Sequence, residues 1–270
     1  MKRYLALAGL TVGLCALAGA QDTGDRIVVP ARNTTHPRVV EASVTHGSIT
    51  VKVYNGKEVI VQSGSDSRKE KDKDKDKDRM VDGLRRIDMP ARGFSIEEED
   101  NVIHIRASSA QSQNLVITVP VDTSLQLKST HGTIMVDGVH GEVEVSDTNG
   151  EIELTNISGT VVADTTNGSI KVSMVRVDPN KPIAFSSING TVDVTLPADL
   201  KANMKLRTNR GEVWSDFDMK LTGGQPTTTG GGNNGRFKLE FDRTIYGTIN
   251  GGGVEANFRT INGKILIRKK

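Results

Sequence analysis

The stretch from Thr130 to Val172 reads THGTIMVDGVHGEVEVSDTNGEIELTNISGTVVADTTNGSIKV, and five of its glycines, Gly132, Gly141, Gly150, Gly159 and Gly168, stand nine residues apart. After each of them apolar and polar residues alternate, giving Ile134 and Val136, Val143 and Val145, Ile152 and Leu154, Val161 and Ala163, then Ile170 and Val172. A period of two with one apolar side is the pattern of a strand that buries one face. Each unit therefore reads as a tight turn followed by a short strand. Asn, His or Ser before the glycine suits such a turn, because glycine accepts positive φ and Asn or His tolerates it better than most residues.

The residue two before each glycine divides the units into two kinds, Thr130, Thr148 and Thr166 in one and Val139 and Ile157 in the other, so the true period is 18. An antiparallel meander or sandwich would also show nine-residue units. What favours stacked coils is that residues one full period apart match in type, Asn149 with Asn167 and Thr148 with Thr166. Stacking places such residues directly above one another, where like side chains form ladders. The fold expected is all-β, a parallel β-solenoid of repeats of about 18–22 residues with two or more short strands per coil.

The same unit recurs around Gly47, Gly190, Gly211 and Gly263. The spacings of 22 from Gly168 to Gly190 and 21 from Gly190 to Gly211 imply coils with longer corners, such as Asp178 to Pro182. The predicted turn residues are His131, Gly132, Gly141, Asn149, Gly150, Gly159, Asn167, Gly168, Asn189, Gly190, Asn262 and Gly263.

Residues 1–20 carry Lys2 and Arg3, an apolar run from Leu5 to Leu17 and then Ala18-Gly19-Ala20, the pattern of a secretory signal peptide; an uncleaved anchor is the alternative. Cys15 lies within that leader and is the sole cysteine, so residues 21–270 have no disulfide and no thiolate chemistry. Without Lys2 and Arg3, 33 basic residues face 33 acidic ones, and no basic excess supports nucleic-acid binding. No later segment is apolar enough to span a bilayer as a helix. Residues 21–270 are expected to form a single β-repeat domain interrupted twice. A charged insertion at 64–80, containing the Lys/Asp alternation from Arg68 to Arg79, has no apolar face to bury and is expected to be disordered. A Gly/Thr-rich stretch at 222–236 has the composition of a loop.

Chemistry is sparse. His46, His131 and His140 all precede a repeat glycine, which makes them turn residues, and His131 and His140 belong to different corners rather than to one metal. Glu142, Glu144, Glu151 and Glu153 alternate with aliphatics and point outward, where pairs of carboxylates could serve a glycosidase or simply keep a strand soluble. The glycine clusters lack the following helix and the Lys-Ser/Thr pair of a phosphate loop. Catalytic, cofactor and metal residues are expected to be none, and the binding residues are not identified by the sequence.

The Ser/Thr-Asn-Gly-x-Ile-x-Val units, the run Leu115 to Pro120 leading into Leu125 to Thr130, and the ending Gly247 to Gly253 followed by Thr260 to Ile267 resemble the bacterial "putative adhesin" family of exported β-strand-repeat domains of unknown function. The resemblance extends over roughly Arg38 to Arg268. It implies a non-enzymatic adhesion or surface-binding module of the cell envelope, periplasmic or at the cell surface, with no cofactor and with an envelope glycan or another envelope protein as partner. A β-helical carbohydrate-active enzyme and a self-assembling envelope scaffold are the competing expectations.

Overall fold

The computed structural model describes residues 26–30, 37–64, 94–107, 112–222, 227–229, 238–240 and 244–270. The leader, residues 65–80 of the charged insertion and most of the 222–236 stretch lie outside these. Within that last stretch Thr227–Thr229 (β18) pairs antiparallel with Lys238–Glu240 (β19).

Among the described residues there is no helix, and a curled, mostly parallel sheet of 20 strands accounts for nearly all the rest. The sheet has two walls. In space, the parallel strands of the first run β6 (Val102–Ala107), β2 (Arg38–His46), β8 (Thr123–His131), β10 (His140–Asn149), the second half of β11 (Ile152–Asn167), β13 (Ile183–Asn189), β21 (Val254–Asn262) and β15 (Ala202–Arg210). Those of the second run β7 (Asn114–Pro120), β3 (Ile49–Tyr54), β9 (Ile134–Asp137), the first half of β11, β12 (Ile170–Val177), β14 (Val192–Leu196), β22 (Ile265–Lys269) and β16 (Val213–Ser215).

Within the stretch that opened the reading, His140 pairs with Ser158, Gly141 with Gly159 and Asn149 with Asn167, all parallel and 18 residues apart. Parallel pairing at that offset excludes the meander here, since a meander would pair neighbouring units antiparallel. The alternation works as expected: Val143, Val145, Ile152, Leu154, Ile170 and Val172 are buried in one apolar cluster that both walls share. Each fully buried aliphatic contributes about 1.5–3 kcal/mol relative to exposure. Phe185 and Phe258, with ring centroids 5.2 Å apart, are the largest fully buried side chains of that core.

The order of coils does not follow the chain. Gly190 and Gly211 do not belong to neighbouring coils, because the coil of β21 and β22 lies between them: Asn189 pairs with Asn262, and Asn262 pairs with Arg210. The other end mirrors this, with β2 and β3 lodged between the coil of β6 and β7 and that of β8 and β9. Each terminal coil is thus the penultimate one in space. The outermost coils are free to carry antiparallel strands, β5 (Phe94–Glu99) on β6, β4 (Val59–Gly64) on β7 with β1 (Arg26–Val29) beyond it, and β20 (Thr244–Ile249) on β15 with β17 (Lys220–Thr222) beyond. A change of direction there ends the parallel register that another coil would need to continue.

The reason for the repeat glycines also needs correcting. Positive φ holds at Gly132 (156°) and Gly159 (124°), but not at Gly150 or Gly168. There the demand is for space: a Cβ on Gly150 would lie 1.5 Å from the Gly132 carbonyl oxygen, and one on Gly168 would lie 1.7 Å from that of Gly150. Coils stack too closely at this corner for any side chain.

Candidate functional site

Among the predicted turn residues, the four asparagines and His131 assemble into one solvent-facing ladder. Asn262 Nδ2 donates to Asn189 Oδ1 (2.7 Å), Asn189 to Asn167 (2.8 Å) and Asn167 to Asn149 (2.9 Å), all in the same sense. Asn149 Nδ2 lies 3.3 Å from His131 Nε2, which puts His131 at the end of the chain. The His131 ring stacks on His46 at 4.9 Å with planes 3° apart. The stack follows from the register, which pairs His46 with His131 directly. Gly132, Gly150, Gly168, Gly190 and Gly263 occupy this corner with the ladder, while Gly141 and Gly159 pair with each other at the opposite one. His140 is on that opposite side, apart from His131, as the spacing implied; its amide donates to the Val121 carbonyl at 2.7 Å.

Three residues before each corner glycine runs a second column, inside the fold. Ser187 Oγ donates to the Gly168 carbonyl (3.0 Å), Thr260 Oγ1 to that of Gly190 (3.1 Å) and Thr208 Oγ1 to that of Gly263 (3.2 Å). Thr130, Thr148 and Thr166, which mark the 18-residue period, lie on the outer side, Thr130 and Thr166 half-buried and Thr148 exposed, and the corner bonds are made one residue earlier. The only signal for that column was a run of Ser, Thr and Asp at glycine minus three. Asp147 occupies it between its register partners Ser129 and Thr165, and in all three a buried oxygen lacks a hydrogen-bond partner. Asp147 Oδ2 and the Gly132 carbonyl oxygen crowd the same spot, 2.3 and 1.5 Å from where a Gly150 Cβ would be. Burial raises the Asp147 carboxyl above its ordinary 3.8, against the lowering effect of the Thr148 and Asn149 amides and His131. The neutral acid can do what its hydroxyl counterparts do and donate to a carbonyl.

The four outward glutamates do not converge. Glu142 and Glu144 stand on β10 in the first wall, whereas Glu153 lies on β11 in the second, with Glu151 just before that strand. Glu142 accepts from Lys181 Nζ, and Glu153 accepts from Lys171 Nζ at 3.2 Å. Arg268 makes a forked pair with Asp193, Nε to Oδ1 at 2.8 Å and Nη2 to Oδ2 at 3.1 Å, which raises the guanidinium above its usual value. Among the described residues no group of three or more His, Cys, Asp and Glu side chains is placed to hold a metal, and no helix is long and apolar enough to cross a membrane.

Residues 93–240, more than half of the chain, match the Toastrack DUF4097 domain. The chain belongs to this family. The match begins at β5 and ends at β19, so both terminal coils fall outside it, although β21 and β22 continue the same corner ladder. No curated protein matches the sequence. Among solved structures, a "putative cell adhesion protein" from Clostridium sporogenes aligns at 12% identity over 91% of this chain and 99% of its own, with a TM-score of 0.43. A "putative adhesin" from Bacteroides fragilis aligns at 11% identity over 92% and 98%, with a TM-score of 0.35.

Proposed function

We propose that this toastrack chain is an exported β-solenoid with 18- to 22-residue repeats that serves, without catalysis, as an adhesion or surface-binding module of the cell envelope. The observation that supports it best is the continuity of the first wall. From β6 to β15, outward side chains of eight adjacent parallel strands stand in straight lateral rows, as in the row His104, Glu41, Gln126, Glu144, Val162, Ala184, Asn257 and Lys205. Rows at a strand spacing of about 4.8 Å form a long, regular surface suited to an extended partner rather than to one small substrate.

Rigidity supports the same reading. The asparagine ladder joins the four coils from Asn149 to Asn262, and corner hydroxyls add bonds at Ser187 and Thr260, all outside the backbone ladder, so the rows there hold their spacing without a ligand. The test is binding of residues 21–270 to an array of envelope polysaccharides and matrix glycans, with every bound glycan analysed for cleavage products. Saturable binding without cleavage is expected. Cleavage that disappears on Glu144→Gln would replace this reading with an enzymatic one.

A further inference from the structure

One end of the first wall gathers cations with few acids on its strands. The four strands β21, β15, β20 and β17 carry the cations Arg259, Lys205, Arg207, Arg210 and Lys220 against one carboxylate, Glu255. Elsewhere several exposed cations meet acids: Lys171 meets Glu153, Lys181 meets Glu142, Arg268 meets Asp193, Arg106 meets Glu97 and Lys264 meets Glu212. Arg207 and Arg259 have no acidic or hydrogen-bonding partner among the described residues, and they are direct register partners on adjacent parallel strands. Like charges directly opposite one another destabilise a sheet. The fold holds two guanidinium groups in that arrangement, with Lys205 two residues away on the same face.

Beside them lies an exposed aromatic ring. Tyr246 is the register partner of Lys205, and the Lys205 ammonium stands 5.9 Å from the ring centroid. Asn257, on the other side of Lys205, offers a partly exposed amide.

We propose that this patch binds a linear acidic polysaccharide of the polyuronate type, with Arg207 and Arg259 taking carboxylates, Lys205 and Lys220 adding charge, and Tyr246 lying against a sugar ring. Guanidinium groups fit carboxylates through paired N–H donors. A polyuronate carries one carboxylate on every sugar, so its charges recur on a scale comparable to one strand spacing, and a strand crossing the rows would neutralise neighbouring cations in turn. Bound carboxylates would also relieve the repulsion between the two arginines. An aromatic face beside polar groups is suited to the apolar face of a sugar and its hydroxyls.

The inference rests on the surface-binding function proposed above, and the experiment separates the two. Binding of residues 21–270 to polygalacturonate and to uncharged dextran is measured by calorimetry, for the unsubstituted chain, for Arg207→Gln with Arg259→Gln, and for Lys52→Gln on the opposite wall. The expected result is binding to polygalacturonate but not dextran, at least a ten-fold loss in the double variant with an undiminished urea midpoint, and no loss in Lys52→Gln. Undiminished binding by the double variant would overturn the proposal. So would equal affinity for a DNA oligonucleotide of matched charge, because the site would then read charge alone. Binding confined to neutral glycans would sink the patch while sparing the adhesion reading; no binding to any member of the glycan array would remove both.

Discussion

Replacing Gly150 by alanine tests whether glycine is needed at the corner for space or for conformation. The added Cβ would lie 1.5 Å from the Gly132 carbonyl oxygen, where real contacts do not fall below 3.0 Å. Asp147 Oδ2, at 2.3 Å, can swing aside, but the carbonyl is backbone and fixed by its coil. The two coils must therefore separate by more than an ångström at the corner. That separation strains the Gly132 N to Asn149 O and Ile134 N to Glu151 O bonds, now 3.2 and 3.0 Å. Losing two such bonds costs about 1 kcal/mol each, and overpacking adds about 1–3 kcal/mol. The expected loss is about 3–5 kcal/mol, a large part of a domain's stability. Gly251 is the control, with φ of 90° and nothing within 4 Å of a built Cβ. Gly251→Ala should cost about 1–2 kcal/mol, from backbone strain alone. Urea unfolding followed by circular dichroism measures both. A loss below about 1 kcal/mol for Gly150→Ala, or a larger loss for Gly251→Ala, would refute the packing argument.

Asn167→Ala removes a donor to Asn149 and an acceptor for Asn189, and a destabilisation of about 1–2 kcal/mol in the same urea assay is expected. Thr260→Val keeps the shape but strips the Gly190 carbonyl of its hydroxyl donor, which should cost about 1 kcal/mol. The raised Asp147 carboxyl favours the protonated form in the fold, so its contribution is fully present below pH 3.8 and declines as pH rises from there through the higher folded value. Asp147→Asn, whose amide can donate at any pH, should abolish that decline and gain about 1 kcal/mol at pH 7 in urea titrations run from pH 3 to 8. An unchanged pH profile in that variant would show that Asp147 is not the titrating group.

Much of the repeat could be read from the chain because its signals are local. Gly132 to Gly168 fix a period, Val143 and Val145 fix which side faces inward, and Asn149 with Asn167 fix the lateral neighbour. Coil order could not be read in this way. Asn262 and Gly263 present to a neighbour the same asparagine and close-packed glycine as Asn189 and Gly190, so these two coils offer alike corners, although the outermost coil carries Arg210 before Gly211. Two such corners leave the choice to the long-range pairing of β15 with β20 and β21, which has no short-range mark. The same holds for the cationic patch, since Arg207 and Arg259 are 52 positions apart and become neighbours only through that insertion. The inner column at glycine minus three was visible as Ser, Thr and Asp, but a period of two places alternate residues on opposite sides of a strand, and Asp147 reads as an unlikely inward residue until the carbonyl opposite it is seen.

The most direct test of this architecture is a disulfide scan at the corner, made easy by the absence of cysteine from residues 21–270. Asn189 and Asn262 are register partners whose side chains meet at 2.7 Å, whereas Asn189 and Arg210 are separated by a whole coil. Cysteine pairs need Cα atoms within about 7 Å. The inserted order expects oxidation to crosslink Asn189→Cys with Asn262→Cys and to leave Asn189→Cys with Arg210→Cys as free thiols. Crosslinking of the second pair without the first would show that the coils follow the chain, and would contradict the account.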